Sequence, residues 1–226
     1  IFGKPLSTLV GIPLLSHQLG YLNILPLYTV LLLATPVFLF VGLRRPWLLL
    51  AFSVALWAAA GQFRLNIPSF PNSGGWFFNP FSWQLLFVVG LLSGAAMKAG
   101  RHFIPYSRAL LLVAAAIVVL VLLWVRIPEL GVLGRRGLTL LSDAGLPFYL
   151  TWFDKTFLAL PRLLHALALF YVLGNLPIMR SIAVSPIAKP FRMLGRQGLA
   201  VFAAGTVIAL FLQVVKTPRL PDPLFD

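Results

Sequence analysis

Hydrophobic and polar positions divide this chain into six apolar segments separated by basic, Pro-rich or Gly-rich punctuation. Ile24 to Leu43 carries no charge and is long enough to cross a hydrocarbon core of ~30 Å at ~1.5 Å per residue. Pro26 and Pro36 predict kinks in it, and Arg44 and Arg45 end it. Pro46 then opens a second helix to about Gly61, short for a span unless Gln62 and Phe63 sit at the interface. A third runs from Phe81 to Met97, with Gly90 and Gly94 in GxxxG spacing that predicts a close helix neighbour. Ala109 to Val125, the fourth, is the most uniformly aliphatic and is the expected lipid-facing segment. The fifth, Leu163 to Ile178, holds His165 and Asn175, and the sixth covers Leu199 to Val215. Ahead of them Ile1 to Asn23 is broken by Gly3, Pro5, Gly11, Pro13 and Gly20, which predicts a loop or a re-entrant segment. Behind them residues 216–226, KTPRLPDPLFD, read as an unstructured tail.

This pattern predicts an all-α fold, a polytopic integral membrane helical bundle of about six transmembrane helices forming one domain over residues 1–226. Composition agrees: 60% of residues are hydrophobic, 10% are charged, and mean hydropathy is +0.94, values that exclude an ordinary soluble domain. The absence of Cys removes disulfides, thiolate metal ligands and thiol nucleophiles, and no metal site is expected.

A net charge of +13 raises the question of nucleic acid, but the basic residues lie in short clusters between apolar runs. No nucleic-acid partner is expected; the clusters report membrane orientation instead. Arg44 and Arg45 follow the first segment, Lys98, Arg101 and Arg108 follow the third, and Arg180, Lys189, Arg192 and Arg196 follow the fifth. Arg64 alone lies between the second and third. The three basic loops are therefore assigned to the cytoplasm, and the 62–80 loop and the 126–161 segment to the opposite side. The longer segment weakens the rule, because it carries Arg126, Arg135, Arg136 and Lys155, with Arg162 at its end.

Two stretches can carry chemistry. In GGWFFNPFSWQ, from Gly74, a glycine turn leads through an aromatic cluster into the third segment. Asn79 and Pro80 suit a helix start, Asn as the cap and Pro in the first turn. Trp76 and Trp83 read either as an interfacial anchor or, with Asn79 and Gln84, as a wall that stacks on and hydrogen-bonds a sugar. The other stretch, WFDKTFLALPRLLHALAL, gathers Asp154, Lys155, Thr156, Arg162 and His165 at the mouth of the fifth segment. Arg162 and His165 are three apart and share a helix face. An imidazole there can act as acid or base, and Arg or Lys can hold a phosphate or carboxylate. The plainer reading has Arg162 snorkelling, Asp154 and Lys155 capping or pairing locally, and His165 bonding a neighbouring helix. GVLGRRG, Gly131 to Gly137, reads as a loop, with anion binding as the lesser alternative.

Four blocks in order, LGYLNILPLYTVLL from Leu19, GWFFNPFSWQLLFVVG, DKTFLALPRLLHALAL and LGRQGLAVFAAG, make the chain resemble the OpgC family of the acyltransferase-3 group. The resemblance implies a bundle of roughly ten spans. It implies an activity that moves a succinyl or similar acyl group from acyl-CoA (succinyl-CoA) to periplasmic glucan, in the bacterial inner membrane and in contact with membrane lipid. Such proteins begin with a span that bears an Arg and the catalytic base His, so the chain is expected to be a fragment lacking N-terminal spans and inactive alone. Under this resemblance His165 and Arg162 are catalytic candidates, and Asp154, Lys155, Thr156, Trp76, Asn79, Trp83 and Gln84 are substrate-binding candidates. A glycan or lipid transporter lined by the same polar groups is the competing function.

Overall fold

A computed structural model describes residues 23–69 and 74–216. The loop expected over the first 22 residues and the tail expected over 217–226 lie outside them. The described residues form two units divided after Asn175. Among them there is no strand; one antiparallel bridge pairs Pro68 with Gly75.

In the first unit the helices are α1 (Ile24–Arg44), α2 (Pro46–Gln62), α3 (Pro80–Lys98), α4 (Arg108–Arg126), α5 (Pro128–Asp143), α6 (Phe148–Thr151) and α7 (Leu160–Asn175). In the second, α8 (Pro177–Val184), a 3-10 turn (Pro186–Ala188) and α9 (Lys189–Arg196) lead to α10 (Gly198–Lys216). Each expected apolar segment forms a helix, but by length and composition only three are able to cross a membrane: α1, α3 and α4. A fourth is added if Leu160–Asn175 and Pro177–Val184 are one broken span. The apolar stretches Pro46–Gln62 and Gly198–Ala209 are shorter, so about six spans is more than the described helices reach.

The fifth segment departs most from expectation. Its helix starts three residues earlier, at Leu160, and stops at Asn175, because Pro177 drives Leu176 into extended backbone (φ −77°, ψ 121°). The 126–161 segment also departs from a loop. Its first half is the amphipathic helix α5, and GVLGRRG lies inside it. Two of the three glycines there serve packing: a Cβ on Gly134 would overlap the Trp124 indole at the end of α4, and one on Gly131 would crowd the Trp124 carbonyl.

Helices α1, α2 and α3 pack on one another, and α4 packs against α7. Leu49, Val88 and Leu92 form one buried cluster, and Trp57, Leu85, Leu158 and Leu163 another. Between α2 and α3 the Ser53 hydroxyl donates to Gln84 Oε1, while Gln84 Nε2 donates to the carbonyls of Ser53 (2.8 Å) and Phe81 (3.2 Å). These bonds tie two apolar helices at a point where water cannot compete. The GxxxG face does not do this work. Gly90 and Gly94 are exposed, and a Cβ on either would meet open space, because α3 turns Gln84, Leu85, Val88 and Leu92 inward instead. Helix α4 keeps its aliphatic character outward, with Ala114 its one buried residue.

Asn79 is fully buried and starts α3. Its Oδ1 accepts from Phe81 N (3.0 Å), its Nδ2 donates to Leu65 O (2.5 Å), and its own N–H donates to Thr156 O (3.3 Å). Replacing Asn79 with Ala removes the cap and leaves the Leu65 carbonyl without this donor, a loss of roughly 2–4 kcal/mol. Thermal unfolding in detergent should show a clear drop in midpoint, and an unchanged midpoint would refute the node.

Candidate functional site

Residues 63–69 and 74–79, between α2 and α3, are held by their own polar groups. Leu65 N donates to Ala60 O (3.0 Å), Trp76 N to Ile67 O (2.9 Å), and Asn66 Nδ2 to Trp76 O (2.9 Å). Asn66 reaches that carbonyl because residue 75 is glycine: a Cβ added there would collide with the Asn66 side chain. Arg64 leaves helix α2 in left-handed backbone at φ 55°, which swings its guanidinium over the Phe148 ring, 3.3 Å from the centroid, and within 5.9 Å of the Phe157 ring.

The 152–159 segment folds onto this loop and onto the helices beneath it. Asp154 Oδ1 accepts from Phe157 N (2.8 Å) and its carbonyl from Ala159 N (3.1 Å), a local turn that takes the chain through Leu158 at φ 47°. Three groups from elsewhere hold the turn's carbonyls: Trp83 Nε1 on Lys155 O (2.9 Å), Asn79 N on Thr156 O (3.3 Å) and Trp57 Nε1 on Leu158 O (3.0 Å). Arg162 Nε, on α7, donates to Phe153 O at 2.7 Å.

Where loop and turn meet, an open cleft of about 570 Å³ is lined by Arg64, Asn66, Gly75, Trp76, Phe77, Thr156 and Phe157. Two stretches singled out in the sequence, eighty residues apart, thus share one site.

The structure distributes the candidate residues unevenly. Trp76 and Thr156 line the cleft. Asn79, Trp83 and Gln84 face structural partners: Asn79 and Gln84 are buried with their amides bonded to the protein, and the Trp83 indole N–H holds Lys155 O. Asp154 caps its own turn, as the plainer reading has it, and Lys155 is exposed. Arg162 and His165 lie half-buried on α7 and line no part of this cleft. Arg64, Phe77 and Phe157 were missed as site residues. Arg64 reads in sequence as one loop charge, since a left-handed arginine stacked on a ring eighty-four residues away leaves no local pattern. Among the described residues no three His, Cys, Asp or Glu side chains gather to hold a metal.

The family model described as OpgC protein matches residues 1–221. No curated protein and no solved structure matches the chain.

The clamp on the 152–159 segment is testable by protease. Lys155 is exposed, and Trp83→Phe keeps the ring while removing the indole N–H from the Lys155 carbonyl. Loss of one such bond raises the open population about 2- to 10-fold. Tryptic cleavage after Lys155 should accelerate by that factor, and an unchanged rate would mean the bond does not hold the turn.

Proposed function

Because the chain belongs to the OpgC family, we propose that it is a membrane-bound O-acyltransferase moving a succinyl or similar acyl group from acyl-CoA to periplasmic glucan in the bacterial inner membrane. The observation that carries the reading is the family match over residues 1–221, nearly the whole chain.

The chemistry asks for a base that takes the proton of a sugar hydroxyl, whose oxygen then attacks the thioester carbonyl. Donors stabilise the oxyanion, the C–S bond breaks, and the CoA thiol leaves with a proton. The resemblance assigns the base to the family's Arg- and His-bearing span, so His165 and Arg162 on α7 serve as second-line participants suited to holding a donor phosphate or the succinyl carboxylate. The Nε bond from Arg162 to Phe153 O orients the guanidinium at the start of α7. Thr156 belongs with the acceptor rather than the donor, because it shares its cleft with the aromatic loop.

The protein expressed from its complete reading frame, in a strain whose periplasmic glucans are unsubstituted, should add succinyl mass to those glucans. His165→Ala and Arg162→Ala should each lower transfer about 100-fold or more, with membrane levels of the protein unchanged. Full transfer in both variants would remove these residues from the chemistry. Movement of glucan or lipid across the membrane without any change in glucan mass would replace the enzyme with a transporter.

A further inference from the structure

Several unusual features converge on the cleft. Arg64 and Leu158 are the two non-glycine residues in left-handed backbone among the described residues. Arg64 lines the cleft, and Leu158 directly follows Phe157, which lines it. Such backbone is unfavourable by about 1–2 kcal/mol per residue and collects where geometry is held for binding. Trp76, also in the lining, is 3% exposed and its Nε1 has no hydrogen-bond partner. Folding alone does not call for this combination: a glycine at position 64 would relieve the strain, and an apolar ring at position 76 would avoid a buried N–H without an acceptor.

The lining chemistry selects the ligand. Phe77, 43% exposed, offers a flat apolar face that matches the C–H face of a pyranose ring, while Trp76 and Phe157 line the cleft as buried rings. The exposed Arg64 guanidinium, held 3.3 Å from the Phe148 ring centroid, carries N–H donors suited to neighbouring hydroxyls. The Thr156 hydroxyl both donates and accepts. One cation is present in the lining and no second, so a donor rich in phosphate finds little here. The volume lies within the range of small-ligand sites, and the cleft is open, which lets a longer chain continue past it.

We infer that this cleft is a saccharide-binding site that takes a pyranose unit of a neutral glucan, with Arg64 as its orienting donor and Phe77 as its stacking ring. The inference rests on the acyltransferase reading for the identity of the glucan, and it adds residues and geometry to that reading.

The test uses the complete protein in detergent, titrated with unsubstituted periplasmic glucan, with quenching of tryptophan fluorescence as the binding signal. Arg64→Gly removes the guanidinium at a position where glycine suits the backbone, so the fold should survive with an unfolding midpoint near that of the parent. Glucan affinity should fall about tenfold or more. Phe77→Ala, at a residue 43% exposed, should weaken binding in the same direction. Arg64→Lys keeps the charge but loses the planar fork and should fall between. In transfer assays KM for glucan should rise in these variants while KM for acyl-CoA stays within about twofold. Unchanged glucan affinity in both Arg64→Gly and Phe77→Ala, with transfer intact, overturns the site and leaves the acyltransferase standing. Glucan binding that depends on Arg64, without any transfer, keeps the site and removes the acyltransferase.

Discussion

One buried amide holds together the parts of this molecule that matter for its site. Asn79 caps α3, bonds the carbonyl of Leu65 just after α2, and presents its backbone N–H to Thr156 in the turn before α7. A hydroxyl could cap the helix from a single oxygen, whereas the amide accepts from Phe81 N through Oδ1 and donates to Leu65 O through a second atom, Nδ2. In a fully buried position each of these bonds counts for more than it would in water, and leaving one unmade is costly. The two loops that form the cleft are therefore tied to the helices and to each other through a single residue.

The rest of the clamp follows the same economy. Trp57 and Trp83 contribute apolar bodies to the interior and spend their indole N–H groups on carbonyls of the 152–159 turn. The Trp57 ring meets Tyr149 edge-on at 5.3 Å, and Trp83 meets Phe78 at 5.0 Å. An aromatic cluster at the head of α3 thus serves as scaffold more than as membrane anchor. Of the rings in this cluster that line the cleft, Trp76 is buried and Phe77 stays exposed. Helix α5, between α4 and this turn, packs through its glycines on Trp124, and Trp124 in turn meets Phe153 at 5.5 Å, so the turn is braced from that side as well.

The helices were legible in the sequence because a membrane segment is defined by properties a chain displays locally: apolar length, Pro at the start, basic residues at the end. The kind of fold and the bounds of α1 to α4 follow from that. The site was half legible. Trp76 and Thr156 stand in blocks that attract attention, yet Asn79 and Gln84, equally suited on paper to bind hydroxyls, turn inward, and Arg64 comes from a loop that looks like a connector. Gly90 and Gly94 show the same limit, since their spacing permits a close approach that the inward turn of Gln84, Val88 and Leu92 places elsewhere on α3.

By itself, then, the sequence determined the helical class, the family, and the basic and aromatic ends of the segments. Tertiary structure decided which polar side chains are taken up by the fold and which line the cleft. The reason is that a hydrogen-bonding group carries no mark of its partner: Asn79 meets Leu65 and Thr156, and Arg64 meets Phe148, only when helices and loops distant in the chain are brought within a few ångströms.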